Sequence, residues 1–367
     1  MEFRVGVVGA TGYIATPYRR EIRSAGTAQI VALCARRREL LTAAATEDHA
    51  ECATADWRDV VEHPDVNLII VATPDALHRD AVMAAAAAGK HIVCEKPVGA
   101  NADEAAQMLA AYRQTSLAHF VPFWTRYIPV FARAREIVQS GELGTVKAVV
   151  YRWHNPRPAE MPFTWRDDER LSAGGSIADV GSHAYDTLRW VLGQEATRVL
   201  AHADVIAEEK PDLGDINLDE ALEWGAAHQK DAETPLRRGT AFDYAALAFE
   251  FSGGVVGTLV LSHAPFLRKG LAPEVEFHGT QASLSVDRIR NCLNLARSNQ
   301  QIETIDLGED PGFGNRFSQY VFPALESQID GTHTGHPDLY DGWRVQQFTD
   351  AAACSAKSGG WIGIPTE

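Results

Sequence analysis

Short apolar runs alternate with helical patterns along the first third of the chain. The apolar runs have the length of strands and lie at residues 3–8, 29–34, 67–72, 90–94 and 117–123. Between them, residues 13–24, 38–47, 56–62, 78–88 and 102–115 have helical spacing, as in Ile14, Tyr18 and Ile22. Such alternation is typical of parallel strands joined by crossover helices. The pattern predicts a doubly wound α/β domain with a parallel sheet, of the Rossmann type, over residues 1–121.

The pattern changes after residue 121. Helical segments at residues 128–140 and 181–192 accompany strand-like runs at residues 145–153, 197–206, 242–251, 255–263, 274–278, 282–286 and 292–296. Tight turns between runs, such as Ser252-Gly253-Gly254, favour antiparallel pairing. We predict that residues 122–367 form an α+β domain with a large, mostly antiparallel, open-faced sheet. Residues 208–239 are predicted as a surface insertion. Helices at 315–329 and 339–357 end the chain, and their packing against the first domain is one of the arrangements that the sequence allows.

Composition and charge narrow the function classes. The 367 residues carry a formal net charge of −15, which disfavours nucleic acid or an anionic membrane as a partner and favours a small molecule. Five cysteines lie far apart without a C-x-x-C pair, which argues against a disulfide framework. Because residues 2–9 already form a strand pattern, no signal peptide is expected, and the predicted location is cytoplasmic.

The first strand runs into a glycine-containing turn. Gly9 and Gly12 lie between the first strand and the first helix, and Ala15 follows where that helix packs. Small residues at such a turn let backbone N–H groups approach a pyrophosphate at the helix N-terminus. The predicted cofactor-binding residues of this turn are Gly9, Thr11, Gly12, Tyr13 and Ile14.

The end of the second apolar run predicts cofactor preference. A carboxylate at this place binds the ribose hydroxyls of NAD, but the sequence has Arg36, Arg37 and Arg38 before the first acid, Glu39. Guanidinium groups bind phosphate through a planar fork. We predict that Arg36 and Arg37 bind the ribose phosphate of NADP(H), with NAD(H) as the alternative cofactor and a solvated helix start as the other interpretation.

Several stretches resemble one oxidoreductase family. The stretches are Ala72-Thr73-Pro74-Asp75-Ala76-Leu77-His78, Ala88-Gly89-Lys90-His91-Ile92-Val93-Cys94-Glu95-Lys96-Pro97, Gly174 to Asp186, and Gly279 to Leu284. Together they resemble the signatures of the Gfo/Idh/MocA oxidoreductases, the family of glucose-fructose oxidoreductase and inositol dehydrogenase. The resemblance covers nearly the whole chain, and its E-K-P and D-x-x-x-H motifs are specific.

The resemblance implies roles for individual residues. Lys96 is implied as the group that takes and returns a hydroxyl proton, with His183 as its acid/base partner and Asp179 as the residue that holds substrate. Oxidation of a secondary alcohol needs such proton transfer while hydride leaves carbon. The implied cofactor contacts include Thr73, Pro74, His78, Glu95 and Lys96, and the family often has a cis bond before the proline of this motif.

Aromatic and basic residues before Asp179 are candidates for a sugar site. An indole face packs on the C–H side of a sugar ring while polar neighbours bind its hydroxyls. The predicted substrate-binding residues are Arg126, Trp153, His154, Trp165, Arg166, Asp179 and His183. The aromatic residues are equally consistent with core packing, and Arg126 with a structural pairing to an acid.

Two other motifs are interpreted as structural. Cys94 lies within an apolar strand, so an inert packed thiol is favoured over a nucleophile. His333 and His336 lack an evident third ligand, so no metal is predicted.

The sequence therefore predicts an NADP(H)-dependent oxidoreductase that moves hydride to or from a ring carbon of a sugar, a sugar derivative or a cyclitol. Its active site is expected in a cleft between the domains, and a homodimer or homotetramer is expected through the C-terminal sheet. Two alternatives stay open: a reductase of a non-carbohydrate such as a dihydrodiol, an imine or a biliverdin-like compound, and a non-catalytic NADP-binding sensor. The particular sugar, the reacting carbon and the working direction are not predicted.

Overall fold

A computed structural model of the chain describes residues 2–172, 174–214, 216–228, 234–332 and 335–365. The contacts divide the chain into two compact units. One comprises the residues up to Pro122, Asn217–Asp219 and Phe313–Gln346, and the other comprises Phe123–Ile216, Glu220–Gly312 and the residues from Gln347 onward.

A six-stranded parallel sheet organises the first unit. Its strands are β1 (Phe3–Val8), β2 (Ala28–Cys34), β3 (Cys52–Thr54), β4 (Leu68–Val71), β5 (His91–Cys94) and β6 (His119–Phe120). The accompanying helices are α1 (Ala15–Ala25), α2 (Arg38–Asp48), α3 (Trp57–Glu62), α4 (His78–Ala87) and α5 (Ala102–Arg113). The strand order is β3-β2-β1-β4-β5-β6, with every pair parallel, which confirms the predicted doubly wound sheet. Strand β4 is buried along its whole length, which explains its unbroken apolar sequence.

A nine-stranded sheet organises the second unit. The helices on it are α6 (Pro129–Gln139) and α7 (Asp179–Leu192). The strands of this part of the chain are β7 (Val146–His154), β8 (Ala196–Asp204), β9 (Lys210–Pro211), β10 (Leu236–Arg237), β11 (Tyr244–Phe251), β12 (Val256–Ser262), β13 (Val275–Gly279), β14 (Ala282–Asp287), β15 (Cys292–Arg297), β16 (Glu303–Asp306) and β17 (Ile362–Gly363). Strands β9 and β10 form a separate short pair and do not belong to the nine-stranded sheet. The order is β16-β15-β14-β13-β7-β12-β11-β8-β17. Only β7 and β12 pair in parallel among these described strands, so the predicted mostly antiparallel sheet is confirmed.

The two faces of this sheet differ. Helices α6 and α7 pack on one face, where Leu247 and Phe249 of β11 are buried. Alternate residues of the same strand, Ala246 and Ala248, point to the other face and stay partly exposed. The sheet is therefore filled on one side and accessible on the other in this chain.

The segment predicted as a surface insertion contains ordered elements that its composition did not reveal. Strands β9 and β10 pair antiparallel, and helix α8 (Leu218–Ala227) lies between them. Gly225 packs so closely that a Cβ there would lie 3.0 Å from Cα of Met161. Residues 229–233 of the insertion lie outside the described part of the chain.

Two helical segments follow β16 before the short strand β17. A π-helical turn, Phe317–Val321, leads into α9 (Phe322–Ile329), and α10 (Leu339–Ser358) follows. Within the first unit, the ring of Phe322 stacks on Phe3 of β1, with centroids 4.9 Å apart. Arg316 forms a bidentate pair with Glu21 of α1. The segment before α10 is thus part of the core of the first unit.

Candidate active site

The turn after β1 approaches the end of β4 closely. Gly9 has φ of +87°, and a Cβ there would lie 2.7 Å from the carbonyl oxygen of Ala72. The N–H of Gly9 donates to the carbonyl of Cys34 at 3.0 Å, which ties the turn to β2. Ile14, the residue before α1, gives that helix no side-chain cap. Such a turn fits the pyrophosphate of a dinucleotide. The same turn contains the other predicted residues, Thr11, Gly12 and Tyr13.

The loop after β4 is joined to the loop after β5. The hydroxyl of Thr73 is buried and makes no hydrogen bond to any residue that the structure describes, which fits a site for a polar ligand. The ring of His78 is buried, with Nε2 at 2.8 Å from the carbonyl oxygen of Thr73 and Nδ1 at 3.0 Å from that of Pro97. Burial lowers the pKa of His78. His78 thus connects two loops, while cofactor contacts from His78 and Pro74 stay predictions.

Lys96 is the second residue after β5, at the carboxyl edge of the parallel sheet, and its side chain is half-buried. Beside it, the carboxylate of buried Glu95 accepts hydrogen bonds from the Tyr18 hydroxyl at 2.5 Å and from the Lys96 backbone N–H at 3.3 Å. Burial raises the pKa of the Glu95 carboxyl. The bond between Lys96 and Pro97 is cis. Cys94 is fully buried, and burial raises the pKa of its thiol well above the usual value, as expected for an inert thiol.

The end of β2 combines basic and acidic side chains. Arg36 is exposed and Arg37 is half-buried. Burial, with smaller contributions from the carboxylates of Asp56 and Asp59, raises the pKa of the Cys34 thiol to about 11. These two acids therefore lie near the strand end that carries the arginines. Both acids follow β3, a strand that the sequence pattern did not predict. Their proximity to residues 35–39 was therefore not evident from the sequence.

His183 lies in an aromatic environment on the second turn of α7. Its ring stacks on Trp153, with centroids 5.8 Å apart and 25° between planes, and meets the edge of Phe123 at 6.1 Å. Trp153 in turn stacks on Tyr151 at 5.9 Å, and the guanidinium of Arg288 lies 5.6 Å from its ring centre. The predicted substrate residues Trp153 and His183 are therefore in direct contact.

Asp179 is the first residue of α7, and basic groups surround its carboxylate. Arg157 Nη2 donates to Oδ2 at 3.4 Å, Arg166 Nε lies 3.9 Å from the same oxygen, and His263 Nε2 lies 3.3 Å from it. The guanidinium of Arg166 also lies 4.3 Å from the ring centre of Trp165. The predicted residues Trp165, Arg166 and Asp179 are thus brought together, along with Arg157 and His263, which sequence reasoning missed. Arg157 closely follows the predicted strand 145–153, and His263 is the last residue of the predicted strand 255–263. These positions at strand ends are the signal that could have indicated them.

His154 lies at the end of β7, opposite Ser262 of β12. Its Nδ1 is buried and forms no hydrogen bond within the described ranges. Burial lowers the pKa of His154, and Arg152 adds to the effect. The neutral form of the imidazole is therefore favoured, and this form can accept one hydrogen bond and donate one.

Arg126 forms a buried ion pair with α7. Its Nε and Nη2 donate to the two carboxylate oxygens of Asp186 at 2.8 and 2.6 Å. Arg189 Nη1 lies 3.6 Å from the same carboxylate. The structural pairing considered for Arg126 is thus present, and a contact with substrate stays a prediction.

Glu274, just before β13, is a half-buried residue with its carboxyl near Tyr151, Lys269 and Arg288. Burial raises the pKa of Glu274 to about 7. The folded protein therefore retains this proton between about pH 4.5 and 7, where an unfolded glutamate loses it. The stability that it contributes is present below pH 4.5 and is lost as the pH rises through 7.

Replacement of this carboxyl tests that interpretation. Glu274→Gln is expected to gain stability relative to the parent between about pH 5 and pH 8, by up to about 3 kcal/mol, because the amide cannot ionise. Urea unfolding of both proteins at the two pH values measures the difference. The same pH dependence in both proteins would contradict the raised pKa of Glu274.

The described residues offer neither a clustered metal site nor a membrane-spanning helix. They contain no cluster of three His, Cys, Asp or Glu side chains suited to a metal ion. His333 lies outside the described residues, and Nε2 of His336 lies 2.8 Å from the amide nitrogen of Gln328. No helix in the described ranges is long and apolar enough to cross a bilayer.

Two family models match the chain. The model described as "Oxidoreductase family, NAD-binding Rossmann fold" matches residues 3–123, and the "GFO/IDH/MocA C-terminal domain" matches residues 131–285. The two matches lie on the parallel sheet and on the open-faced sheet respectively.

Individual relatives agree with the family models. A levoglucosan dehydrogenase of Pseudarthrobacter phenanthrenivorans is 27% identical over 354 residues, covering 89% of this chain and 87% of the relative. A myo-inositol 2-dehydrogenase of Thermotoga maritima is 25% identical, covering 89% of this chain and 84% of the relative. A solved levoglucosan dehydrogenase in complex with NADH has the same fold, with a TM-score of 0.83, 23% identity and full coverage of both chains. The chain is thus an oxidoreductase that belongs to the Gfo/Idh/MocA family.

Proposed function

We propose that the protein transfers hydride between a nicotinamide cofactor, NADP(H) in preference to NAD(H), and a secondary alcohol or ketone carbon of a sugar, sugar derivative or cyclitol. The observation that carries the proposal is the environment of the Asp179 carboxylate. Two guanidinium groups and one imidazole each place a nitrogen within 4 Å of its Oδ2 atom. Such a group offers both donors and acceptors to a polyhydroxylated ring. The similarity to levoglucosan and inositol dehydrogenases supports the same substrate class.

The proposed mechanism assigns proton transfer to this chain's own residues. When bound, the nicotinamide would supply the ring carbon that accepts or donates hydride. Lys96 takes the proton of the reacting hydroxyl during oxidation and returns it during reduction, and His183 is its acid/base partner. Asp179 accepts hydrogen bonds from further hydroxyls, and the indole of Trp153 faces the apolar side of the ring. In this proposal, residues 1–121 bind the cofactor and residues 122–367 bind the substrate.

A substrate panel tests the proposal. The protein is assayed with NADP(H) and with NAD(H) against sugars, keto-sugars and cyclitols that include levoglucosan and myo-inositol, together with a dihydrodiol and a cyclic imine. The change in absorbance of the reduced nicotinamide measures turnover. Turnover of a sugar or cyclitol alone is the expected result. Preference for the dihydrodiol or imine would support the non-carbohydrate alternative, and cofactor binding without any turnover would support the sensor.

Cofactor preference rests on Arg36 and Arg37. A guanidinium that binds the ribose phosphate contributes about 1.5–3 kcal/mol, so Arg36→Ala/Arg37→Ala is expected to weaken NADPH binding by about 100-fold or more. NADH lacks the phosphate, so its affinity should change by less than about threefold. Titration calorimetry with both cofactors measures the two losses, and Arg38→Ala is the matched control.

Two outcomes would contradict a phosphate site at the arginines. Equal losses for NADPH and NADH would indicate a general electrostatic effect. Tighter binding of NADH than of NADPH by the unchanged protein would contradict a ribose-phosphate site at the arginines, and would make Asp56 and Asp59 the candidate partners of the ribose hydroxyls.

We further propose a homodimer or homotetramer that associates through the accessible face of the nine-stranded sheet. Small apolar residues on that face, such as Ala246, Ala248 and Val260, are partly exposed, and a second copy would bury them.

All five cysteines are unpaired, which agrees with a reducing compartment such as the cytoplasm.

A further inference from the structure

The parallel pair of β7 and β12 brings distant parts of the chain to one edge of the sheet. Ser262 pairs with His154 at the ends of the two strands. Beyond these residues, the N–H of Arg157 donates to the carbonyl of His263 at 3.2 Å. Because parallel strands present their carboxyl ends on the same side, the segments that follow β7 and β12 both lie beside the first turn of α7. His263 and Asp179 meet at this edge.

His263 has a polar atom that the fold does not satisfy. The residue is 6% exposed, and Nε2 lies 3.3 Å from Oδ2 of Asp179. Despite this distance, Nε2 forms no hydrogen bond with Asp179 or with any other residue described. A buried polar atom without a partner costs about 1–3 kcal/mol. Such a cost is recovered when a ligand supplies the missing partner.

The charge state of His263 suits a hydrogen bond to a neutral group. Burial, with Arg157 as the next contribution, lowers the pKa of His263 to about 3. Arg166, Lys210 and Asp179 also face the ring, and of these Asp179 opposes the shift. The imidazole is therefore neutral at physiological pH. We assign the ring proton to Nε2, because the nearby carboxylate of Asp179 favours a donor there.

The surrounding cations already have carboxylate partners. Lys210 Nζ lies 2.6 Å from Oδ1 of Asp167, and Arg157 lies 3.6 Å from the same oxygen and 3.4 Å from Asp179. Arg166 also lies close to Asp179. An anionic substrate would have to compete with these acids for the cations, whereas a neutral hydroxyl adds a bond without displacing one.

We propose that His263 is a substrate-binding residue that donates a hydrogen bond from Nε2 to a hydroxyl of an uncharged polyol, beside the hydroxyl bound by Asp179. The proposal rests on the proposed function, because it needs a polyhydroxylated substrate. It assigns to this site a preference for neutral sugars or cyclitols over sugar acids and sugar phosphates. Arg157 contributes by holding the carboxylate of Asp179.

Steady-state kinetics of His263 variants test the proposal. The probe is levoglucosan or myo-inositol, whichever the parent protein turns over faster. His263→Leu removes the donor and is expected to raise KM about tenfold, the value of one hydrogen bond of about 1.4 kcal/mol, while kcat changes by less than about threefold. His263→Asn keeps a donor and should recover part of the loss. His63→Leu, which removes an imidazole from the loop between α3 and β4, is the control and should leave KM unchanged.

A series of monodeoxy analogues of the probe tests the same bond independently of folding. For the parent, one deoxy position should raise KM about tenfold, and His263→Leu should show no further loss with that analogue. Equal KM values for the parent and for His263→Leu, with cofactor binding retained, would overturn the proposal. If His263→Leu fails to bind cofactor, the parent alone decides, and a KM that no deoxy position raises by more than about threefold would overturn the proposal. Absence of turnover by the parent with both probes would instead count against the proposed function.

Discussion

Lys96→Met is expected to lower kcat by about 100- to 10,000-fold, the contribution of a positioned acid/base group. Methionine has a similar length and shape but carries no proton to exchange with the substrate hydroxyl. The hydrogen bond from the Lys96 backbone to Glu95 does not involve the side chain, so the loop after β5 should keep its structure. Cofactor affinity should therefore change little, and the loss should appear in kcat and kcat/KM together. Steady-state kinetics and cofactor titration measure the two quantities.

The control for this prediction is Lys147→Met, which removes an exposed ammonium on β7 and should leave both quantities unchanged. Unaltered turnover of Lys96→Met would refute the role of the lysine. A second variant, His183→Asn, tests whether both residues act on the same proton transfer. If they do, the double variant should lose much less than the product of the two single losses, since groups that act as a unit are not additive. Full additivity would assign His183 to another step.

The parallel sheet was predictable because its strands are buried on both faces. Strand β4, with four consecutive buried residues, gives a continuous apolar run that no turn or surface helix imitates. Strand β3 was missed because its three residues, Cys52 to Thr54, are half-buried or exposed and have no apolar periodicity. The polar edge strand β16 was missed for the same reason. Burial, rather than strand pairing itself, is what the sequence pattern detects.

The start of α7 shows how a local rule fails against packing. The predicted helix begins at Gly181, whereas the helix in the structure begins at Asp179, and Gly181 lies inside it although glycine is disfavoured inside helices. A Cβ at Gly181 would lie 2.8 Å from Cδ1 of Leu261 on β12. Glycine is therefore present to let the helix approach the sheet. This earlier start puts Asp179 and His183 on successive turns of one helix.

The candidate site was predictable only where a motif or a chain neighbour indicated it. Asp179, His183 and Trp153 were predicted and lie together in the second unit. Arg157 and His263 were not, because their contact depends on the parallel pairing of β7 with β12, two strands more than 100 residues apart in sequence. Runs of strands joined by tight turns favour antiparallel neighbours, so the sequence gives no sign of this single parallel pair.

The ion pair inside the second unit predicts a large loss of stability. Asp186 is completely buried, and Arg126 and Arg189 both face its carboxylate, with side chains only 6% and 8% exposed. Asp186→Asn keeps the shape but removes the charged carboxylate that pairs with the buried guanidinium of Arg126, while Arg189 keeps its ion pair with Glu195. Removal of one partner from a buried pair costs about 3–5 kcal/mol, and this change should reach that range. Arg126→Met should cost less, because the carboxylate retains Arg189 at 3.6 Å.

Chemical unfolding of the two variants measures the order of these losses, with Glu250→Gln as the control. That change breaks the exposed pair of Glu250 with Arg198 and should cost less than about 1 kcal/mol. An Asp186→Asn protein as stable as the control would show that the buried pair contributes little to the fold. The same Arg126→Met protein decides between the two interpretations of this arginine: a stability loss with an unchanged KM for the sugar assigns it to the core. A raised KM in a protein of near-parental stability would assign Arg126 to substrate binding, as the sequence predicts.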